Sequence, residues 1–137
     1  MDRAVVERKL EALRHCVKRL RDKRPASAKL LAADADLQDV LVLNLSRTVQ
    51  VCVDIAAHLL APSDLTAPAT MGETFTRLAG AGVIDKSLSD RLRRAVGFRN
   101  VAVHNYEVID WDIVFTLTGP PLSDFDQFAA QVMAGLA

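Results

Sequence analysis

Arg99, His104 and Tyr106 bring a guanidinium, an imidazole and a phenol into the eight-residue run RNVAVHNY. Arginine presents a fixed fork of donors that matches phosphate oxygens. An imidazole titrates near neutrality, so it can both take and give a proton within one turnover. The phenol hydrogen-bonds and can itself be modified. Together these groups suit holding a phosphate and moving a proton. On an ideal helix the five residues from Arg99 to His104 turn about 140°, whereas the seven to Tyr106 return within about 20°. A straight helix therefore aligns Arg99 with Tyr106 and turns His104 away. Either the helix breaks near Asn105, a residue type tolerant of the left-handed region, or a second subunit completes the site. On composition alone, three such residues at a helix end also fit a purely structural role.

The elements that must hold this run are helical. Val6, Leu10, Leu13, Val17 and Leu20 recur at helical spacing and predict a first helix from about Asp2 to Lys23, ended by Pro25. His15, beside that stripe, reads as structural. Ser27 to Ala33 adds a turn, and Asp34 or Asp36 caps a long helix from about Asp36 to Leu60. Pro62, Ser63, Asp64 and Pro68 mark a loop. Thr70 caps a third helix through about Leu78, closed by Gly80 and Gly82. Ser87 or Ser89 caps the helix that carries Arg91, Arg93 and Arg94 toward the motif, with Gly97 permitting a close backbone approach. Asp110 caps WDIVFTL, Gly119-Pro120-Pro121 breaks or kinks the chain, and a last helix from about Ser123 to Leu136 buries Phe125, Phe128 and Val132. No strand-like alternation of useful length and no internal repeat occurs. The fold expected is a single all-α domain spanning residues 1–137, an up-and-down bundle of about five helices.

The long helix is apolar over most of its circumference, so it should be central. Its polar residues are not scattered. Asn44, Arg47, Asp54 and His58 fall within an arc of roughly 80° at 100° per residue. Polar groups there must pair with each other, line a cleft or face a second subunit, because burying them unpartnered costs kilocalories each. Asp54 and His58, four apart, are spaced to hydrogen-bond across one turn. A buried network that only fixes packing is the competing reading.

Composition narrows the function. Half of the residues are hydrophobic and a quarter charged, as in ordinary globular domains, and the formal net charge is zero. Charge is nevertheless polarised: through Arg24 there are nine Lys/Arg against four Asp/Glu, and after Arg99 five Asp/Glu with no Lys/Arg. Such polarity suits a basic face for phosphates or an acidic partner, or simply solvated helix faces. The charged amphipathic N-terminus does not read as a signal peptide, and polar interruptions of Val40 to Leu60 argue against a membrane span. Cys16 and Cys52 follow no metal spacing and read as reduced, buried thiols of a cytoplasmic protein. Three isolated histidines make no metal site, and neither a phosphate-binding glycine loop nor a G-x-S-x-G elbow is present, so no cofactor or metal is expected.

The spacing Arg99-x4-His104-x-Tyr106, with Asn100 directly after the arginine, resembles the R-x4-6-H motif of the HEPN superfamily, and in its fuller form the HepT-like branch. A long helix carrying Arg47 and then DIAAHL, Asp54 to Leu59, is similar to that branch as well. The Gly119-Pro120-Pro121 break departs from its usual continuous C-terminal helix. The resemblance implies a homodimeric helical bundle that acts as a metal-independent endoribonuclease toxin of a type II or VII-like toxin–antitoxin system. RNA carries its own nucleophile, the 2′-hydroxyl. His104 would be the acid/base, Arg99 would hold the phosphate and neutralise developing charge, and Asn100 would orient one of them. The resemblance further implies a minimal nucleotidyltransferase (MNT) antitoxin that transfers AMP onto Tyr106, and a dimer groove near Asn44, Arg47, Asp54 and His58. Two alternatives stay open: a non-catalytic module that binds a nucleotidyltransferase, and a plain helical scaffold.

Overall fold

Burial of one apolar face per helix organises the chain. The structure, a computed structural model, describes residues 2–60 and 70–136, and the expected loop at Pro62 to Pro68 lies outside them. Seven α-helices occur among the described residues: α1 (Arg3–Lys23), α2 (Ala28–Ala32), α3 (Ala35–Leu60), α4 (Met71–Gly80), α5 (Lys86–His104), α6 (Trp111–Leu117) and α7 (Ser123–Leu136). The count exceeds five because two short helices, α2 and α6, pack on each other beside the main bundle. The stripe Val6, Leu10, Leu13, Val17 and Leu20 is buried as its periodicity demands, and α1 lies along α3. Leu41, Leu45, Val49, Cys52 and Ile55 of α3 are also buried, and α3 packs on α4, α5 and α7 as well as on α1. Helix α3 is long and apolar enough to cross a membrane, but here it is the core helix. Phe75 of α4 meets Phe128 of α7 edge to face, with ring centroids 6.0 Å apart.

Local chemistry sets most helix ends. Asp34 accepts from the Leu37 amide, Thr70 from Glu73 and Asp110 from Asp112, as expected from short polar side chains at N-caps. The α5 cap is Asp85, not Ser87 or Ser89. Its carboxylate accepts from the Leu88 amide and from the Gln131 side chain, while Ser87 accepts from Arg91 and Ser89 is buried. The Leu88 and Gln131 hydrogen bonds hold the Asp85 carboxyl below its usual range. At the end of α4, Gly82 takes a positive φ of 79°, Val83 N–H reaches Leu78 O and Gly82 N–H reaches Ala79 O, the Schellman closure.

The Gly-Pro-Pro stretch becomes a single 3₁₀ turn, Pro120–Leu122, leading directly into α7. Arg24 donates through Nε and Nη2 to Phe115 O and stacks 3.7 Å over the Phe115 ring, tying the end of α1 to α6. A Cβ at Gly119 would lie 2.9 Å from Arg24 Nη2, so this glycine makes room for the staple. Gly97, expected to allow close approach, meets nothing within 4 Å: it lies on the outer face of α5.

Both thiols are buried, and burial pushes each above its ordinary pKa, Cys52 strongly. Native protein should therefore leave Cys52 unreacted with a thiol-specific disulfide reagent until denaturant is added; rapid labelling of native Cys52 would contradict this packing. Phe128→Ala should cost about 3–5 kcal/mol, read from urea midpoints. A loss below about 1 kcal/mol would place Phe128 outside the core.

Candidate active site

Helix α5 remains helical through His104, and Asn105 then ends it with φ −142° and ψ 55°, its N–H bonded to Val101 O. The break falls where expected, but its geometry differs: Asn105 is not left-handed. The break also comes one residue too late to bring His104 onto the face of Arg99. With both on one continuous helix, they point about 140° apart. What the break does redirect is Tyr106, which opens a 3₁₀ turn, Tyr106–Val108, and packs edge-on against Trp111 at 6.0 Å.

Helix α3 receives two of the motif side chains. Arg99 Nη2 donates to Gln50 Oε1 at 3.4 Å, and Gln50 Nε2 donates to Asp54 Oδ1 at 2.9 Å. The guanidinium is thus linked through an amide to a carboxylate, half-buried, with Nη1 reaching Asn100 Oδ1 at 3.4 Å. Nearer the start of α3, Asp39 Oδ1 accepts from the Tyr106 hydroxyl at 2.6 Å. Asp39 meets the end of the motif and Gln50 its beginning, so α3 and α5 run antiparallel across the site. His104 is exposed and makes no hydrogen bond to the described residues.

The polar arc of α3 divides. Asp54 accepts from Gln50 rather than from His58. His58 Nε2 instead accepts from the Asp2 amide, fastening the start of α1 at the end of α3 remote from Tyr106. Asn44 is buried and donates to Val40 O, satisfied within its own helix. Arg47 is exposed, on the stretch of α3 between Asp39 and Gln50. The grouping of four therefore contributes Asp54 to the Arg99 link and exposed Arg47 to the adjoining surface, while Asn44 and His58 serve the fold. Sequence reasoning missed Asp39 and Gln50. The i, i+4 spacing of Gln50 and Asp54 was a signal for the second; nothing local marked Asp39 as a partner of Tyr106.

Beyond Asn100, a groove runs along Arg93, Arg94 and Gly97 to Thr70 and Gly72 at the start of α4. Arg91 does not join it toward the motif, because it pairs with Asp124 and Gln127 of α7. Exposed apolar groups flank the motif: Leu43 (49% exposed), Val103 (52%) and Val108 (65%).

An all-α bundle that carries R-x4-H at the exposed end of one helix is a domain of the HEPN class. Residues 3–132 match the family described as ribonuclease HepT-like, and the chain belongs to that family. It is 35% identical over 130 residues to the mRNA nuclease HepT of Shewanella oneidensis, covering 95% of this chain and 97% of that protein. It superposes with TM-score 0.88 and 34% identity on the tri-AMPylated Shewanella oneidensis HEPN toxin in complex with MNT antitoxin, covering 98% of this chain and 99% of that one. A toxin–antitoxin crystal structure with AMP-PNP gives the same TM-score and identity, over 96% of this chain and 98% of that chain. The Bacillus subtilis cytosolic protein YutE, 16% identical with TM-score 0.83 over 98% of this chain and 90% of that one, shares the fold.

Tyr106 is the sole tyrosine, so its ionisation can be followed directly by ultraviolet absorbance. Partial burial, the hydrogen bond to Asp39 and that carboxylate's charge push its pKa up from 10.0 to about 12. The protonated phenol is the form the fold favours. Its contribution to stability is present below the unfolded value and fades as pH rises through the folded one. Asp39→Asn should move the spectroscopic midpoint down toward the ordinary phenol value; an unchanged midpoint would mean that Asp39 does not act on this hydroxyl.

Proposed function

We propose that this chain is the ribonuclease toxin of a toxin–antitoxin pair and cleaves RNA without a metal ion. The observation that carries the reading is the R-N-x3-H-x-Y motif at the exposed end of α5, its arginine anchored and its histidine open to solvent. Arg99 is pre-positioned through Gln50, so it can meet phosphate without first being ordered. His104 removes the 2′-hydroxyl proton. The freed oxygen attacks the adjacent phosphorus, the P–O5′ bond breaks, and the 5′-oxygen takes a proton from a second imidazole. Asn100, bonded to Arg99, helps orient the guanidinium.

The second imidazole comes from a second copy of this chain. Two features support a homodimer at this surface. Arg99 and His104 diverge on one helix, so a two-fold axis beside α5 lets the arginine of one copy face the histidine of the other. Leu43, Val103 and Val108 expose apolar surface beside Asp39 and the motif, and a partner would cover them. Arg47 lies at the edge of the same surface and adds charge for the RNA backbone. Arg93 and Arg94, exposed in the α5 groove that Asp90 also lines, supply further cations on another face of α5. Contacts of this kind hold the backbone and leave base identity unread.

The partner proposed is a minimal nucleotidyltransferase antitoxin, as in the related complex, with Tyr106 as the acceptor of AMP. The phenol, redirected by the break at Asn105, hydrogen-bonds Asp39 on the same helix, α3, that holds Arg99 through Gln50. An adenylyl group there adds bulk and negative charge where an RNA phosphate must enter. In the presence of chelator, His104→Ala and Arg99→Ala should each lower RNA cleavage by about 10²-fold or more while circular dichroism is unchanged. Full activity of His104→Ala would remove the acid/base assignment. Sedimentation should give a dimer that Leu43→Asp weakens; a monomeric parent would overturn the shared site. Adenylylation after co-expression with the transferase should vanish from the intact mass of Tyr106→Phe, and adducts that persist would move the acceptor elsewhere.

A further inference from the structure

We propose that Asp39 is the general base that activates Tyr106 as a nucleotide acceptor, so that the toxin supplies part of the chemistry of its own modification. This rests on the reading of Tyr106 as acceptor. The geometry is that of a nucleophile with its base in place: Tyr106 Oη donates to Asp39 Oδ1 at 2.6 Å. Asp39 lies in the second turn of α3, exposed, and makes no ion pair with the described residues, so its charge is free to accept a proton. Trp111 packs edge-on against the ring. Tyr106 remains 38% exposed, so the residue is not sealed from an incoming nucleotide.

A neutral phenol attacks phosphorus poorly, and at neutral pH this one is almost wholly protonated, because burial and Asp39 raise it to about 12. The proton can leave during attack to a group already in contact with it, and among the described residues that group is Asp39. Asp39 is the charged group that hydrogen-bonds the phenol, whereas Glu107 and His104, its exposed neighbours in the chain, make no hydrogen bond to it. The bond from Tyr106 Oη to the α-phosphorus of a nucleoside triphosphate forms, the bond from that phosphorus to the β-phosphate bridging oxygen breaks, and pyrophosphate leaves. The phenol proton passes to Asp39. When Asp39 later releases it, a carboxylate and a phosphodiester stand side by side, and their repulsion drives the modified ring away from α3.

The test uses the full-length toxin with its nucleotidyltransferase, magnesium and ATP, and follows adduct formation by intact mass. Asp39→Asn, which keeps shape and a hydrogen-bonding oxygen but cannot take the proton, should lower kcat for transfer by about 10²-fold or more. KM for the toxin should stay within about threefold, and the residual rate should climb about tenfold per pH unit toward the phenol range, as attack by free phenolate requires. Asp39→Glu should recover part of the rate. Transfer to Asp39→Asn at the parent rate, or a loss confined to KM, would overturn the proposal. Tyr106→Phe separates the two readings. Adducts on that variant would sink the acceptor assignment, whereas their absence with a fully active Asp39→Asn would sink only the base.

Discussion

The site depends on the unbroken helical geometry of α5. Because the backbone ladder persists to His104, the 100° step per residue fixes the directions of Arg99 and His104 before any tertiary contact forms. No rotamer change within one chain removes a divergence of about 140° between two points on a cylinder. The constraint sends Arg99 and His104 to different faces of α5 within one chain. The break at Asn105 comes after that geometry is set and frees the chain to fold Tyr106 back toward α3.

Antiparallel packing of α3 against α5 supplies what helical geometry cannot. The apolar side of α3 is buried among its neighbours, which leaves one polar margin facing the motif. Along that margin Gln50 and Asp39 engage Arg99 and Tyr106 separately. The two contacts differ in kind. Arg99 reaches a neutral amide that is itself held by Asp54, so no carboxylate among the described residues pairs directly with the guanidinium. Tyr106 meets a carboxylate directly, which prevents easy ionisation yet places an acceptor on its proton.

A net charge of zero is compatible with nucleic-acid chemistry because the charge is unevenly placed and unevenly neutralised. Several arginines are consumed in structure: Arg24 on Phe115, Arg21 on Asp126 and Arg91 on Asp124. The acidic C-terminal third thereby pairs with basic residues of α1 and α5 to close the bundle, a use of charge polarity that an account based on partners alone would overlook. Arg47, Arg93 and Arg94, exposed on α3 and α5, remain for the solvent-facing side around the motif.

Much of this architecture was written locally. Periodic leucines and valines determined the helices, because burial of an apolar stripe is decided by spacing. Asp34, Thr70 and Asp110 marked their helix starts, because a cap acts within three residues. The motif itself was legible as a cluster of reactive types, and its 140° problem was visible from helical geometry. Other features belonged to the tertiary structure alone. Asp85 displaced two plausible serines as a cap because Gln131, 46 residues away, reinforces it. His58 and Asn44 shared an arc with Asp54, but distant backbone at Asp2 and local backbone at Val40 claimed them. Asp39 acquired its meaning from a partner 67 residues later. Sequence spacing fixes direction around one helix axis; which two axes lie side by side, and in what register, is decided only when the whole core packs.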